Sequence, residues 1–234
     1  MGLRGKTALV TGATGALGRI IARRLAGEGA RVIITYRESI PAGVIPPGMK
    51  KHYIAIRADL TSEESVSGLF RRIEIVSKRA DILVNAAGGY AGGTPVASTS
   101  PDEWHQMMRV NLDAVFYCCR AFLRQKRMKS YGRIISIAAQ TVFRPAAGRS
   151  AYAVSKGGVA MLTGVLGEEL RGSGITANAI APSIIRTPAN RKSMPKGDPS
   201  KWVDPADIAE EILHLCNESA GSINGSVIPM FGGV

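Results

Sequence analysis

A short β-forming run, Lys6–Thr11, leads directly into T-G-A-T-G-A-L-G at Thr11–Gly18, which opens an amphipathic helical stretch. That junction constrains the fold more than any other feature. Glycines at a strand-to-helix turn let the backbone approach a ligand closely. The start of the helix adds free N–H groups and the positive end of its dipole, a setting suited to a pyrophosphate. Within the helix, Leu17–Glu28, the apolar Leu17, Ile20, Ile21 and Leu25 share one face, while Arg19, Arg23 and Arg24 lie on the other. A buried strand, Arg31–Thr35, comes next.

The alternation continues along the chain. Strands are expected over Tyr53–Ala58, Ile82–Asn85, Arg133–Ala138, Ile175–Ala181 and Ser226–Met230. Helices are expected from about Ser62, over Pro101–Arg127 with Ser100 as N-cap, over Ser150–Arg171 before Gly172, and over Pro205–Cys216. Several strands read as buried on both faces. The pattern therefore predicts an α/β fold, a Rossmann-type doubly wound sheet of about seven parallel strands with helices on both faces. At 234 residues the chain is ordinary for one such unit, and residues 1–234 are read as a single domain. Ser39–Met49 and Thr187–Lys201 read as loops. The second is too long for a mere connector and follows the carboxyl end of a strand, where such sheets bind ligands.

Composition narrows the function classes. No run approaches the roughly 18 apolar residues of a membrane span, so no membrane partner is expected. A strand starting near Lys6 leaves no room for a targeting peptide, and Lys6 stands where an acylation motif needs Ser or Thr, so the expected location is cytoplasmic. Cys118, Cys119 and Cys216 are odd in number and lack C-x-x-C spacing, which predicts no metal site and no disulfide framework. Cys118 and Cys119 read as core thiols. The net charge of +12 would suit nucleic acid or an anionic cofactor. The basic residues are scattered, however. Arg71–Arg72 and Lys126–Lys129 read as solvated helix faces, and no nucleic-acid motif accompanies them.

Tyr152-Ala-Val-Ser-Lys156 places a phenol and an amine four residues apart, one turn along the same helical face. A free phenol titrates near pH 10, and an adjacent ammonium favours its ionised form. Together with the glycine turn this resembles the short-chain dehydrogenase/reductase family. The resemblance implies an NAD(P)-dependent oxidoreductase in which Tyr152 moves the proton and Lys156 holds the nicotinamide ribose. It also implies that Asn111, in R-V-N-L-D, bends its helix and serves the proton relay. The implied cofactor residues are Gly12, Thr14, Gly15, Ala16, Leu17 and Gly18 of the turn, with Ala16 replacing the family's middle glycine. To these it adds Asp59 and Leu60 at the adenine, Asn85, Ala86, Ala87 and Gly88, and Pro182, Ile185 and Thr187. Where NAD-preferring members carry an Asp, this chain has Tyr36 and Arg37. A guanidinium pairs with a 2′-phosphate, so NADP(H) is expected over NAD(H).

One departure stands out. The family's Ser, thirteen residues before the Tyr, is Ala139 here, and strand alternation turns Ser136 the other way. The usual hydroxyl donor to a substrate carbonyl is missing.

A narrower resemblance bears on this. Thr187, Pro188, Asn190 through Pro195, Asp198, Ser200 and Trp202 are similar to the substrate loop of quinonoid dihydropteridine reductases, a branch of the same superfamily. Gly88–Gly93 is similar too, with Tyr90 for a Trp. The resemblance implies reduction of a quinonoid dihydropterin or similar conjugated heterocycle, in which no alkoxide forms. Tyr90, Ala139, Gln140, Asn190 and Met194 would then lie on the substrate side. That branch prefers NADH and lacks the Asn, unlike this chain. Two alternatives stay open. One is an NADPH-dependent carbonyl reductase in which Gln140, Thr141 or a water replaces the Ser; the other is a cofactor-binding regulator without turnover. Val159, Met161, Leu162, Val165 and Leu166 lie beyond the catalytic turn of the Ser150–Arg171 helix. In the family that helix and the preceding long one pair across a two-fold axis, so a homodimer or homotetramer is expected.

Overall fold

The computed structural model describes residues 2–125 and 130–233, so the Lys126–Lys129 cluster lies outside the described residues. The sheet has strands β1 (Thr7–Thr11), β2 (Arg31–Tyr36), β3 (Tyr53–Arg57), β4 (Ile82–Asn85), β5 (Gly132–Ile137), β6 (Ile175–Pro182) and β7 (Val227–Met230). All pair in parallel, in the order β3-β2-β1-β4-β5-β6-β7. The helices are α1 (Ala16–Gly27), α2 (Glu63–Ser77), α3 (Pro101–Met107), α4 (Ala114–Leu123), α5 (Ser150–Glu169), α6 (Pro188–Ser193) and α7 (Pro205–Cys216).

Every residue of β1, β4, β5 and β6 is buried, because helices cover both faces. Successive residues feed opposite sides of the sheet. Ala8, Val10, Ile82 and Val84 pack with Ile21 and Leu25 of α1 and Ile208 and Ile212 of α7. Leu9, Ile33 and Leu83 pack with Leu69 and Ile73 of α2 and Phe122 of α4. The chain starts mid-sheet, winds outward through β2 and β3, and returns to place β4 on the far side of β1. The reversal leaves a crevice between the carboxyl ends of β1 and β4, where Thr11 pairs with Asn85.

Two expectations need correction. The helix expected over Pro101–Arg127 is interrupted by a π-turn, Met108–Asp113, and its last described helical residue is Leu123. Ser100 does cap its start, its Oγ accepting from the Glu103 N–H at 3.1 Å. The wider turn leaves Asn111 fully buried. The Thr187–Lys201 stretch is not loop throughout. It contains α6, capped by Thr187 Oγ1 accepting from Asn190 N–H at 3.2 Å with Pro188 as first helical residue, and a 3₁₀ turn at Pro199–Lys201. A bridge between Ile185 and Val203 closes its neck, and Trp202 is buried beneath it. Among the described residues no helix is long and apolar enough to cross a membrane, and no group of three or more His, Cys, Asp or Glu could hold a metal. All three cysteines are free and buried.

Candidate active site

At the crevice the turn after β1 is packed against the end of β4. Gly12 has φ +68°, and a Cβ there would stand 2.7 Å from Ala87 N. A Cβ on Gly18 would stand 2.3 Å from Gly12 O, so α1 sits directly on the turn. Thr11 Oγ1 accepts from the N–H groups of Ala86 (3.1 Å) and Ala87 (3.2 Å). Gly15 caps α1 without any side-chain hydrogen bond, and the first turn holds no acid. Its N–H groups are therefore left to an anion. Ala16 is the first helical residue and is half-buried, as are Thr14 and Leu17. This cradle, closed to any Cβ and open to a negative charge, fits a dinucleotide pyrophosphate.

At the end of β2, Tyr36 closes the strand and pairs with Arg57 of β3. Arg37 is 73% exposed and sits 3.7 Å from Glu38, while its carbonyl accepts from Arg57 Nε at 2.9 Å. Arg57 thus joins Arg37 as a second guanidinium, one that sequence reading missed because the β2–β3 register alone brings them together. Asp59 Oδ1 accepts from Thr61 N (3.0 Å) and Thr61 Oγ1 (2.8 Å), which hold its carboxyl below the usual range. Leu60 beside it is half-buried.

Asn85 is a correction. Its side chain is buried and donates to Ser136 Oγ at 3.1 Å and Cys119 Sγ at 3.5 Å, so it ties β4 to β5 and α4 rather than reaching into the crevice. The same bond keeps Ser136 in the interior, as strand alternation requires.

Asn111, Gly88 and Lys156 form one cluster. Asn111 Oδ1 accepts from Gly89 N–H at 2.9 Å, and its Nδ2 donates to Gly89 O (3.1 Å) and Ser155 Oγ (3.0 Å). A Cβ on Gly88 would lie 2.6 Å from Asn111 Oδ1 and 3.4 Å from Lys156 Nζ, so only glycine leaves room. Lys156 is buried and donates to Ile137 O at 2.7 Å; burial alone pulls its pKa down to about 8. Tyr152, on the first turn of α5, meets Tyr90 edge to face, with ring centroids 5.0 Å apart at 71°.

Burial opposes the acidification of the phenol that the Tyr152–Lys156 spacing predicts. The Tyr152 pKa is pushed up to about 12, by burial first and by Tyr90 second, with Arg149 opposing. The Lys156 ammonium is turned to the Ile137 carbonyl, and desolvation of a phenolate outweighs any charge nearby. At neutral pH Tyr152 holds its proton, the form a proton donor needs.

Ala139 is buried with extended backbone and presents only a methyl. Gln140 begins a 3₁₀ turn, Gln140–Val142, and is half-buried. Thr141 Oγ1 is buried without a hydrogen-bond partner. Pro182 ends β6, and Ile185 and Thr187 form the neck of the following segment. Asn190 Nδ2 donates to Ile185 O at 2.8 Å, so its amide braces that neck. Met194 ends α6, half-buried. Neither Asn190 nor Met194 hydrogen-bonds the Tyr152 cluster. Arg149, also missed from sequence, places its guanidinium 6.0 Å from the Tyr90 ring centroid.

Comparison with known proteins agrees with this geometry. The family model for short chain dehydrogenases matches residues 6–197. A 3-oxoacyl-[acyl-carrier-protein] reductase of Aquifex aeolicus is 32% identical over 99% of this chain and 98% of its own length. A D-beta-hydroxybutyrate dehydrogenase of Cupriavidus necator is 30% identical over 99% and 98%. Among solved structures, ElxO with NADP bound superposes at TM-score 0.91, with 26% identity, covering 97% of this chain and 98% of that one. An actinorhodin polyketide ketoreductase variant with NADPH superposes at 0.86, with 27% identity, covering 97% and 96%. The chain belongs to the short-chain dehydrogenase/reductase family and is an oxidoreductase of the NAD(P)-using type.

Proposed function

We propose that the protein is an NADPH-dependent reductase of a conjugated, nitrogen-containing heterocycle of the quinonoid dihydropterin type. The observation that carries this reading is Ala139. Position 139 offers no hydroxyl, and the nearest serine, Ser136, is held in the interior by Asn85. Reduction of a ketone builds negative charge on oxygen, and loss of one donor to such an oxygen costs on the order of 10²–10³ in rate. Hydride addition to a conjugated heterocycle puts no alkoxide beside position 139. NADPH supplies the hydride when bound, with Gly12, Gly15 and Gly18 around its pyrophosphate. Arg37, with Arg57 beside it, supports a preference for the 2′-phosphate. Tyr152 donates the proton from its phenol, the form that burial favours. Lys156, held at Ile137 O, and Asn111, held at Gly89, fix the floor beneath it. Tyr90 offers a flat, 61% exposed ring to a planar substrate.

A second reading has an observation of its own. Thr141 Oγ1, two residues beyond Ala139, is buried and unpartnered and would have to be uncovered by a bound carbonyl substrate to donate to it; the 3-oxoacyl and ketoreductase relatives favour that class. NADPH oxidation with freshly generated quinonoid dihydropterin, run beside ketones and 3-oxoacyl thioesters, separates the two. Turnover of the pterin alone bears out the first. Turnover of carbonyls alone, lost in Thr141→Val and raised in Ala139→Ser, bears out the second.

Assembly as a homodimer, or a tetramer of two, is part of the same proposal. Phe116 of α4 and Val154, Met161 and Val165 of α5 are exposed apolar side chains on the two helices expected to pair. A monomeric mass by light scattering would contradict it.

A further inference from the structure

Three segments follow the carboxyl ends of β4, β5 and β6, and their charge is one-sided. Residues 86–100 hold no charged side chain. Residues 139–149 hold Arg144 and Arg149 and no acid, and residues 183–203 hold Arg186, Arg191, Lys192, Lys196 and Lys201 against Asp198 alone. Asp198 Oδ1 is occupied by Ser200 N–H (3.0 Å) and Ser200 Oγ (2.7 Å), and Arg186 is paired with Asp204. The first two touch directly, and residues 231–233 link the second to the third. Gly93 N–H donates to Gly148 O at 2.7 Å, and Phe143 packs on Phe231 at 5.9 Å. Ser183 Oγ donates to Phe231 O at 2.6 Å, and Gly233 N–H to Lys201 O at 2.9 Å.

Within this cationic mouth Arg149 has a particular place. It lies three residues before Tyr152, on the same side of the first turn of α5. Its guanidinium lies over the Tyr90 ring, and that ring lies against Tyr152. It is exposed and has neither a carboxylate partner nor a side-chain hydrogen bond among the described residues. The acid that the fold brings to this side, Glu103, accepts from Thr94 Oγ1 at 3.4 Å instead. Arg149 opposes the burial-driven rise of the Tyr152 pKa, as its place beside the Tyr90 ring leads one to expect. A guanidinium beside an aromatic ring and without a hydrogen-bond partner has its N–H edge open to a carboxylate or phosphate, and it is a better fork for either than a lysine.

We infer that Arg149 is the anion-recognition residue of the substrate site, so that the natural substrate carries a carboxylate or phosphate group that seats at the Tyr90–Arg149 mouth while its reducible atom faces Tyr152. The inference rests on the reading of Tyr152 as the donor to substrate, and not on which ring or carbonyl is reduced. The surrounding lysines and arginines raise the local concentration of such a substrate, and association falls as salt rises.

The test is binding to the NADP⁺-loaded protein by calorimetry, with three probes of one shape: benzoate, phenyl phosphate and the neutral benzamide. An anion is expected to bind at least about tenfold tighter than benzamide. That ratio should collapse toward one in Arg149→Met and persist in Arg149→Lys, and the tighter of the two anions identifies the group. Equal binding of acid and amide, a ratio unchanged in Arg149→Met, or no binding of either anion overturns the inference. Turnover of quinonoid dihydropterin is scored separately. Its failure removes the pterin reading and leaves the anion preference standing or falling on the calorimetry.

Discussion

The two ends of the crevice are built differently. The cofactor end is backbone: Gly12 and Gly18 leave no space for a side chain, the start of α1 is uncapped by side chains, and Thr11 ties the turn to Ala86 and Ala87. The proposed substrate end is side chain: Tyr90, Arg149 and the α6 segment, attached to the sheet through the Ile185–Val203 bridge and the Asn190 brace. A site made of packed backbone tolerates little change and recognises one ligand geometry. A site made of exposed side chains on a closed loop can vary while the fold stays put.

Tyr152→Phe tests the point where the two ends meet. Losing the proton donor should lower kcat by about 10²–10⁴ while leaving the KM for NADPH little changed. An equal fall in cofactor affinity would show that Tyr152 belongs to the cofactor end instead.

Lys156→Met probes the cost of that junction. An unfolded lysine titrates near 10.4, and Lys156 in the fold titrates at about 8. Between those values the unfolded chain holds more protons, so stability rises with pH through that window. Below about pH 8 both states carry the charge and the burial penalty is complete. The Met variant should therefore lose activity yet gain up to ~3 kcal/mol over wild type at pH 7, less the cost of the orphaned Ile137 carbonyl. The gain should shrink toward pH 10. Urea unfolding of both proteins at pH 7 and 9.5 gives the comparison, and a pH-independent difference would contradict the burial account.

Gly18→Leu forces a side chain onto the Gly12 carbonyl, with an expected stability loss of ~1–3 kcal/mol and loss of cofactor binding by fluorescence titration. Ala16→Gly, at the position where this chain departs from the family, should bind NADPH nearly as wild type. Arg37→Asp should shift the NADPH-to-NADH ratio of kcat/KM by about tenfold or more toward NADH, since a carboxylate repels a 2′-phosphate. An unmoved ratio would transfer that role to Arg57. A modest effect is expected at the loop. Asn190→Ala removes one hydrogen bond at the neck, worth ~1 kcal/mol, and should raise the substrate KM without touching that of the cofactor.

Local patterns encode local structure, and much of this molecule was legible on that basis. The strand over Ile82–Asn85 and the helix over Pro205–Cys216 have the boundaries their periodicity predicts. The Tyr152–Lys156 spacing needs only a helix to align the two groups. The π-turn at Asn111 was less legible, because the expected 27-residue helix gives no internal signal for a widened turn beyond the Asn itself. The α6 helix carried its signals, Thr187 and Pro188, but its shortness hid it in a loop-like composition.

The sequence by itself determined the alternating elements, the glycine turn, the Tyr152–Lys156 helix and the absence of a hydroxyl at Ala139, since each depends on residues within a few positions of one another. Only the tertiary structure decided that Asn85 is tied to Ser136, that Arg57 binds the Arg37 carbonyl, that Arg149 lies over the Tyr90 ring, and that burial raises the Tyr152 pKa. Those outcomes depend on sheet register and on burial, and both are set by residues tens of positions apart. Desolvation in particular is a property of the packed surroundings, which is why a Tyr–Lys pair whose spacing points to a lowered phenol pKa has, once buried, a raised one.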